Sequence, residues 1–287
     1  MNILHAALLG LVQGLCEFLP VSSSAHMLLV RLLMGIQTDS PAMKMLDILL
    51  HVGTLIPILA LFWKDWIQML AHPVKNRTLL LLFVASLPTL VFYFGAKKLF
   101  PGLDGFSMFD SGWFMGVCFL ITAALLLICD IRAEAPSCRK KTVNLPSALV
   151  MGIFQGLSPI PGISRSGSTI TGGVLTGLKK ETAAKFSFMM SVPAVLGSLL
   201  MEGKDALEND YLRQMELVPS LVGVVVACAV GFLALRMMLK IIVKYPLRIF
   251  SVYLAILGIV YLVLQLTGHP LVPAFGIPAV PAPVPVG

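Results

Sequence analysis

A fourteen-residue stretch of this chain recurs in altered form, and the recurrence narrows the folds open to it. Residues 13–26 read QGLCEFLPVSSSAH and residues 155–168 read QGLSPIPGISRSGS. A constant offset of 142 pairs Gln13 with Gln155, Gly14 with Gly156, Leu15 with Leu157, Ser22 with Ser164 and Ser24 with Ser166. The same offset pairs Asn2, Ala6 and Gly10 with Asn144, Ala148 and Gly152. Each copy sets glycine, proline and hydroxyl residues inside an apolar stretch. In a bilayer such a break is tolerated only where the freed backbone is buried in protein or lines a polar cavity.

A bilayer is the expected solvent. The chain is 57% hydrophobic and only 12% charged, against roughly 25% charged residues in a globular domain. Its length suits one bundle of helices rather than several domains. No cleavable signal peptide is expected, because the first apolar stretch lacks a basic leader and runs into Glu17 and Pro20. A net charge of +7 could suit nucleic acid. The basic residues, however, lie in short loops between apolar segments, where they set topology, so no nucleic-acid partner is expected. The five cysteines, Cys16, Cys118, Cys129, Cys138 and Cys228, lack metal-site or disulfide spacing and read as small packing residues.

Six segments are apolar enough to span: about Leu46–Trp63, Leu79–Phe94, Trp113–Cys129, Phe186–Met201, Leu217–Leu235 and Ile249–Leu266. Two further apolar regions, 3–34 and 145–178, carry the repeated motif. Loops 64–77, 130–141 and 236–248 are rich in Lys and Arg and read as cytoplasmic. Loop 202–216 holds five acids against Lys204 and Arg213 and reads as external. With 130–141 inside and 202–216 outside, region 145–178 must enter and return on one side. Its return leg, Ser166 to Leu178, is too short to span comfortably. Two tilted full spans per motif remain the alternative. The same reasoning starts and ends the 3–34 hairpin outside. Each half is then one hairpin plus three spans, and the odd number inverts the second half.

The expected fold is therefore an all-α polytopic membrane protein with an inverted-topology repeat. It has six transmembrane helices plus two re-entrant helix–break–helix hairpins in one membrane domain over residues 1–266. Repeat 1 covers about 1–141 and repeat 2 about 142–266. The tail 267–287, with six prolines, is expected to be extended or disordered.

The motifs suggest a site for an anion. Pro20 should end one half-helix, and Ser22, Ser23 and Ser24 then open the next. In the second copy Pro159, Pro161 and Gly162 break the chain before Ser164, Arg165 and Ser166. Serines at such positions cap free amides, and converging helix N-termini attract negative groups. Arg165 adds a planar cation suited to phosphate oxygens. Gln13 and Glu17 share a helix face, as do Ser22 and His26, and Arg165 and Thr169. Glu17, His26, Ser22, Ser23 and Arg165 are thus the candidate catalytic residues. Arg165, Ser164, Ser166, Thr169 and Ser24 are candidate phosphate ligands. A resting pair between Arg165 and Glu17 would be compatible with catalysis. Asp47 reads as a helix N-terminal acid with His51 one turn on, and His5, His72 and His269 as structural or interfacial.

QGLCEFLPVSSSAH and PGISRSGSTITGG closely resemble the two signature motifs of the undecaprenyl-diphosphatase family, the bacterial bacitracin-resistance proteins. LDILLHVGT and FSFMMSVPAVLG are similar to its intervening segments, and the resemblance covers about residues 1–266. It implies an inner-membrane enzyme that hydrolyses a polyprenyl diphosphate, undecaprenyl diphosphate, to the monophosphate and inorganic phosphate, recycling the carrier of cell-wall precursors. Its (E/Q)xxxE motif, which accepts glutamine at the first position, falls on Gln13 and Glu17, its histidine on His26 and its phosphate-binding arginine on Arg165. It also implies a divalent cation, Mg2+ or Ca2+, with Glu17 and Gln13 as the candidate metal ligands. Glutamine at 13 departs from an anionic ligand, and Cys16 departs at a non-catalytic position. His26 is left open as nucleophile or as acid–base partner of Ser22 or Ser23. A lipid flippase, alone or combined with hydrolysis, is the competing reading, since inverted repeats with broken helices build transporters. The assembly is left open, a homodimer among the options, and the site is expected to open outward.

Overall fold

The computed structural model describes residues 2–36, 40–73, 75–99, 112–136, 138–208 and 215–273. Among them the chain forms eleven α-helices. In order these are α1 (Ile3–Cys16), α2 (Ser23–Met34), α3 (Pro41–Leu61), α4 (Trp63–Ala71), α5 (Arg77–Leu99), α6 (Met115–Ala133), α7 (Leu145–Gly156), α8 (Arg165–Leu175), α9 (Lys180–Glu208), α10 (Leu217–Lys244) and α11 (Arg248–Leu266). Six of them, α3, α5, α6, α9, α10 and α11, are long and apolar enough to cross a bilayer. The protein is an all-α polytopic membrane protein. The only extended pairing among the described residues is an isolated bridge between Lys140 and Leu178.

Both motif copies fold as helix, break, helix. Their legs α1, α2, α7 and α8 have 14, 12, 12 and 11 residues, each short of the roughly 20 that a span needs. The repeat extends to the caps. Asn2 accepts a hydrogen bond from the His5 amide at 2.7 Å, and Asn144 from the Ser147 amide at 3.0 Å, so each incoming leg starts on an asparagine cap. Pro20 cannot donate to the Cys16 carbonyl, and α1 ends at Cys16 rather than at the proline itself.

The two halves interlock through their first legs. α1 packs on α10, and α7 packs on α5. A Cβ on Gly10 would lie 2.3 Å from the Gly223 carbonyl oxygen, and one on Gly152 would lie 2.2 Å from that of Ala85. Absence of a side chain at this repeated position is what lets each leg press against a span of the other half, as small residues do between membrane helices. The apolar core gathers around the two breaks, with Phe18, Phe119 and Phe188 fully buried and Phe18 edge-on to Phe188 at 5.9 Å.

The basic loops gather at one end. Lys180 pairs with Asp130 at 3.2 Å, and Asp130 also accepts the Arg248 amide at 2.6 Å. Lys185 pairs with Asp65 at 2.8 Å, which brings α4 to the same end. These contacts join the stretches around Asp65, Asp130, Lys180, Lys185 and Arg248.

Two expectations need revision. Asp47 does not open a helix: α3 begins at Pro41 under a Ser40 cap, and Asp47 forms a two-pronged ion pair with buried Arg31 of α2. A charge buried there needs its partner more than a helix end does. The first seven residues of the expected tail are the second. Residues 267–273 turn back on α11, where the Gln265 side chain donates to the Pro273 carbonyl at 3.0 Å. Residues 274–287 lie outside the described residues. The five cysteines are free thiols, four of them buried.

Candidate active site

The two breaks meet, and three contacts join them. The Gly162 amide donates to Ser22 Oγ at 3.1 Å, Ser166 Oγ donates to the Leu19 carbonyl at 3.2 Å, and an Arg165 Nη2–Glu17 Oε1 ion pair closes the junction. Gly162 has φ +99°, and a Cβ there would lie 2.5 Å from Cys118 Cβ. Only glycine fits that backbone and that space. Thr122 of α6 holds the same turn, donating to the Gly162 carbonyl at 2.7 Å and accepting the Ser164 amide at 3.1 Å.

Glu17 is the hub. Its Oε2 accepts Ser23 Oγ at 2.6 Å and Gln13 Nε2 at 3.2 Å, while its Oε1 faces Arg165. The carboxylate is buried, so these three donors replace the water it has lost. Arg165 keeps one arm for something else, because its Nη1 is buried with no hydrogen-bond partner. A buried guanidinium nitrogen without an acceptor is a ready contact for an anionic oxygen.

Ser22 has φ +71°, the only positive value among the described non-glycine residues. Such a backbone persists where its surroundings hold it. Here His26 Nδ1 lies 2.8 Å from the Ser22 carbonyl, and Ser22 Oγ is anchored by Gly162 and lies 3.3 Å from Ser24 Oγ. Ser22 therefore does not cap α2 with its side chain, whereas Ser164 caps α8 by accepting the Gly167 amide at 3.1 Å. At the open end of α2, Ser24 is exposed.

The structure brings Gln13, Glu17, Ser23 and Arg165 into one hydrogen-bonded group. His26 stands beside it, joined through the Ser22 backbone rather than to Glu17. Ser164 and Ser166 line the break with their hydroxyls bonded within the protein. Thr169 faces α9, its Oγ1 lying 2.6 Å from Ser187 Oγ and 2.8 Å from the Arg165 carbonyl. Sequence reasoning missed Thr122, Ser187 and Tyr253, whose hydroxyl lies 2.7 Å from His26 Nε2. Thr122 and Tyr253 belong to spans without a motif of their own, and Ser187 lies in FSFMMSVPAVLG, which drew notice only as an intervening segment. Gly162, by contrast, was legible in the sequence from its place in the break.

Among the described residues no group of three or more His, Cys, Asp or Glu side chains could hold an ion. One carboxylate suits Mg2+ only in the manner of an ion carried largely by phosphate oxygens and water. The amide nitrogen of Gln13 is assigned toward Glu17, which aims its donor, not its oxygen, at the carboxylate.

The family model of the bacitracin resistance protein BacA matches residues 6–260. A protein named undecaprenyl-diphosphatase from Carboxydothermus hydrogenoformans is 39% identical over 269 residues, 93% of this chain and 99% of that one. Proteins of the same name from Halothermothrix orenii and Methanosphaera stadtmanae are 36% and 35% identical, covering 92% of this chain each and 98% and 99% of their own lengths. With the family match running from α1 into α11, this chain belongs to the bacitracin resistance protein BacA family.

Proposed function

We propose that this protein hydrolyses undecaprenyl diphosphate to undecaprenyl phosphate and inorganic phosphate, returning the carrier lipid to cell-wall synthesis in a bacterial cytoplasmic membrane. The observation that carries the reading is the Ser23–Glu17–Arg165 group at the meeting of the two breaks, in a family whose relatives bear that activity in their names.

Glu17 accepts the Ser23 proton at 2.6 Å, so the hydroxyl oxygen is poised as a nucleophile with its base in place. Ser23 Oγ attacks the terminal phosphorus, its proton passes to Glu17, and the P–O bond to the lipid phosphate breaks. Glu17 gives that proton to the departing undecaprenyl phosphate. Ionised again, it takes a proton from the attacking water, the phosphoserine P–Oγ bond breaks, and the proton returns to Ser23 Oγ as inorganic phosphate leaves. The free arm of Arg165 and the uncapped end of α2 stabilise the charge on the transferring phosphoryl group. Ser22 is the weaker nucleophile candidate, because its oxygen already accepts the Gly162 amide. A divalent cation, Mg2+ or Ca2+, would neutralise diphosphate charge when bound, with Glu17 the one carboxylate of this group available to touch it.

For the membrane we infer the inverted-repeat arrangement, with halves 1–141 and 142–266 and each motif a re-entrant hairpin. The short legs and the interlocked packing of α1 on α10 and α7 on α5 support it. The gathered basic end faces the cytoplasm by its charge, and the site opens outward. Impermeant maleimide applied to intact cells is expected to label Lys204→Cys and to spare Lys244→Cys. The reverse pattern would invert the topology.

The function is tested by phosphate release from undecaprenyl diphosphate by the purified protein, with Mg2+ and with chelator. Turnover that needs the cation is expected. Lipid movement across vesicles without any phosphate release would favour the flippase instead.

A further inference from the structure

His26 is held at both nitrogens, and the two partners define its state. Nδ1 lies 2.8 Å from the Ser22 carbonyl oxygen, which can only accept, so Nδ1 carries a hydrogen. In the neutral ring Nε2 is then the bare nitrogen, and the Tyr253 hydroxyl 2.7 Å away donates to it. The two rings lie nearly parallel, 23° apart with centroids at 5.8 Å, and Phe119 meets the imidazole edge-on from α6. Tyr253 comes from α11, in the other half of the chain from the motif it touches.

The chain of contacts runs from Tyr253 through the imidazole to the carbonyl of Ser22. That residue holds the only positive φ among the described non-glycine residues, and it immediately precedes Ser23. A turn in this backbone region is kept by its contacts rather than by its own preference. We propose that Tyr253 is a positioning residue for the hydrolysis. Its hydroxyl orients His26 and selects the Nδ1–H tautomer, and His26 in turn holds the Ser22 turn that presents Ser23 to Glu17. The inference rests on the phosphatase reading for its consequence, while the Tyr253–His26 link stands on geometry alone.

Tyr253→Phe keeps the ring and removes the hydroxyl. Two measurements on the full-length protein test it. Diethyl pyrocarbonate acylates a bare imidazole nitrogen, and the rate at each histidine is read by peptide mass spectrometry. Modification of His26 is expected to rise several-fold in Tyr253→Phe, with His51 unchanged as a control of the fold. In the phosphate-release assay kcat is expected to fall by about tenfold, as the loss of one orienting hydrogen bond implies, with KM unchanged. An unchanged His26 modification rate overturns the link. A normal kcat, or a raised KM alone, overturns the positioning role. The labelling needs no substrate, so absence of hydrolysis in the unaltered protein counts against the phosphatase reading and leaves the link to be decided by the labelling.

Discussion

Arg165→Ala is expected to lower phosphate release by about a thousandfold or more, the scale on which arginines act in phosphoryl transfer. The guanidinium makes two distinct contributions. Nη2 pairs with Glu17, and Nη1 is buried without a partner beside the open end of α2. Alanine removes the anion contact and also strands a buried carboxylate, and breaking a buried pair this way costs about 3–5 kcal/mol. Loss of activity could then follow from loss of the fold. The double variant Arg165→Ala with Glu17→Gln separates the two, because it removes the stranded charge. It should regain thermal stability in detergent while remaining inactive. Arg165→Lys should restore little, since a point charge cannot hold Glu17 and a phosphate oxygen with one planar group. Normal turnover in Arg165→Ala, with the protein folded, would remove Arg165 from the site.

Ser23→Ala is the second large effect expected. The Ser23–Glu17 contact at 2.6 Å is the shortest serine–carboxylate approach among the described contacts of the site, and it makes Ser23 the nucleophile in the proposed reaction. Removing a nucleophile that acts as one unit with its base should cost about as much as removing both, so Ser23→Ala, Glu17→Gln and the double variant should fall to a similar residual rate. The covalent step has its own readout. With label in the terminal phosphate, rapid acid quenching should trap labelled protein in the unaltered enzyme and none in Ser23→Ala. Equal trapping in both would exclude Ser23 and return attention to His26 or Ser22. Measured as kcat at saturating lipid, the loss should leave lipid binding intact, since Ser23 touches only the reacting phosphate in the proposed reaction.

Much of this was legible in the chain. The repeat at an offset of 142 carried its own caps, Asn2 and Asn144, and its own close-contact glycines, Gly10 and Gly152. All six apolar segments read as spans are long helices. These features are local or periodic: a cap acts within one turn, and a span is a run of apolar residues. Glu17 and Arg165 also stood out, because ionisable groups inside apolar stretches demand a partner.

Other features had no local signature. Asp47 read as a helix-end acid because the partner that holds it, Arg31, sits on another helix. Thr122 and Tyr253 lie in apolar spans, and their partners are 40 and 227 residues away in the chain. Whether Ser22 or Ser23 meets the carboxylate depends on one backbone turn, which the Gly162 amide and the His26 ring hold from outside the serine run.

The sequence by itself determined that this protein is a bundle of membrane helices with two broken segments, and which ionisable residues those breaks must accommodate. Hydropathy and helix-breaking chemistry act over a few neighbours and leave their mark in order along the chain. The sequence also led to the expectation that the breaks converge; only the tertiary structure decided by which contacts they meet, that Glu17 takes Ser23 along with Arg165, and that Tyr253 closes on His26. Those choices depend on how helices from the two halves approach one another, and hydrogen bonds that short form only once the packing has set the distance.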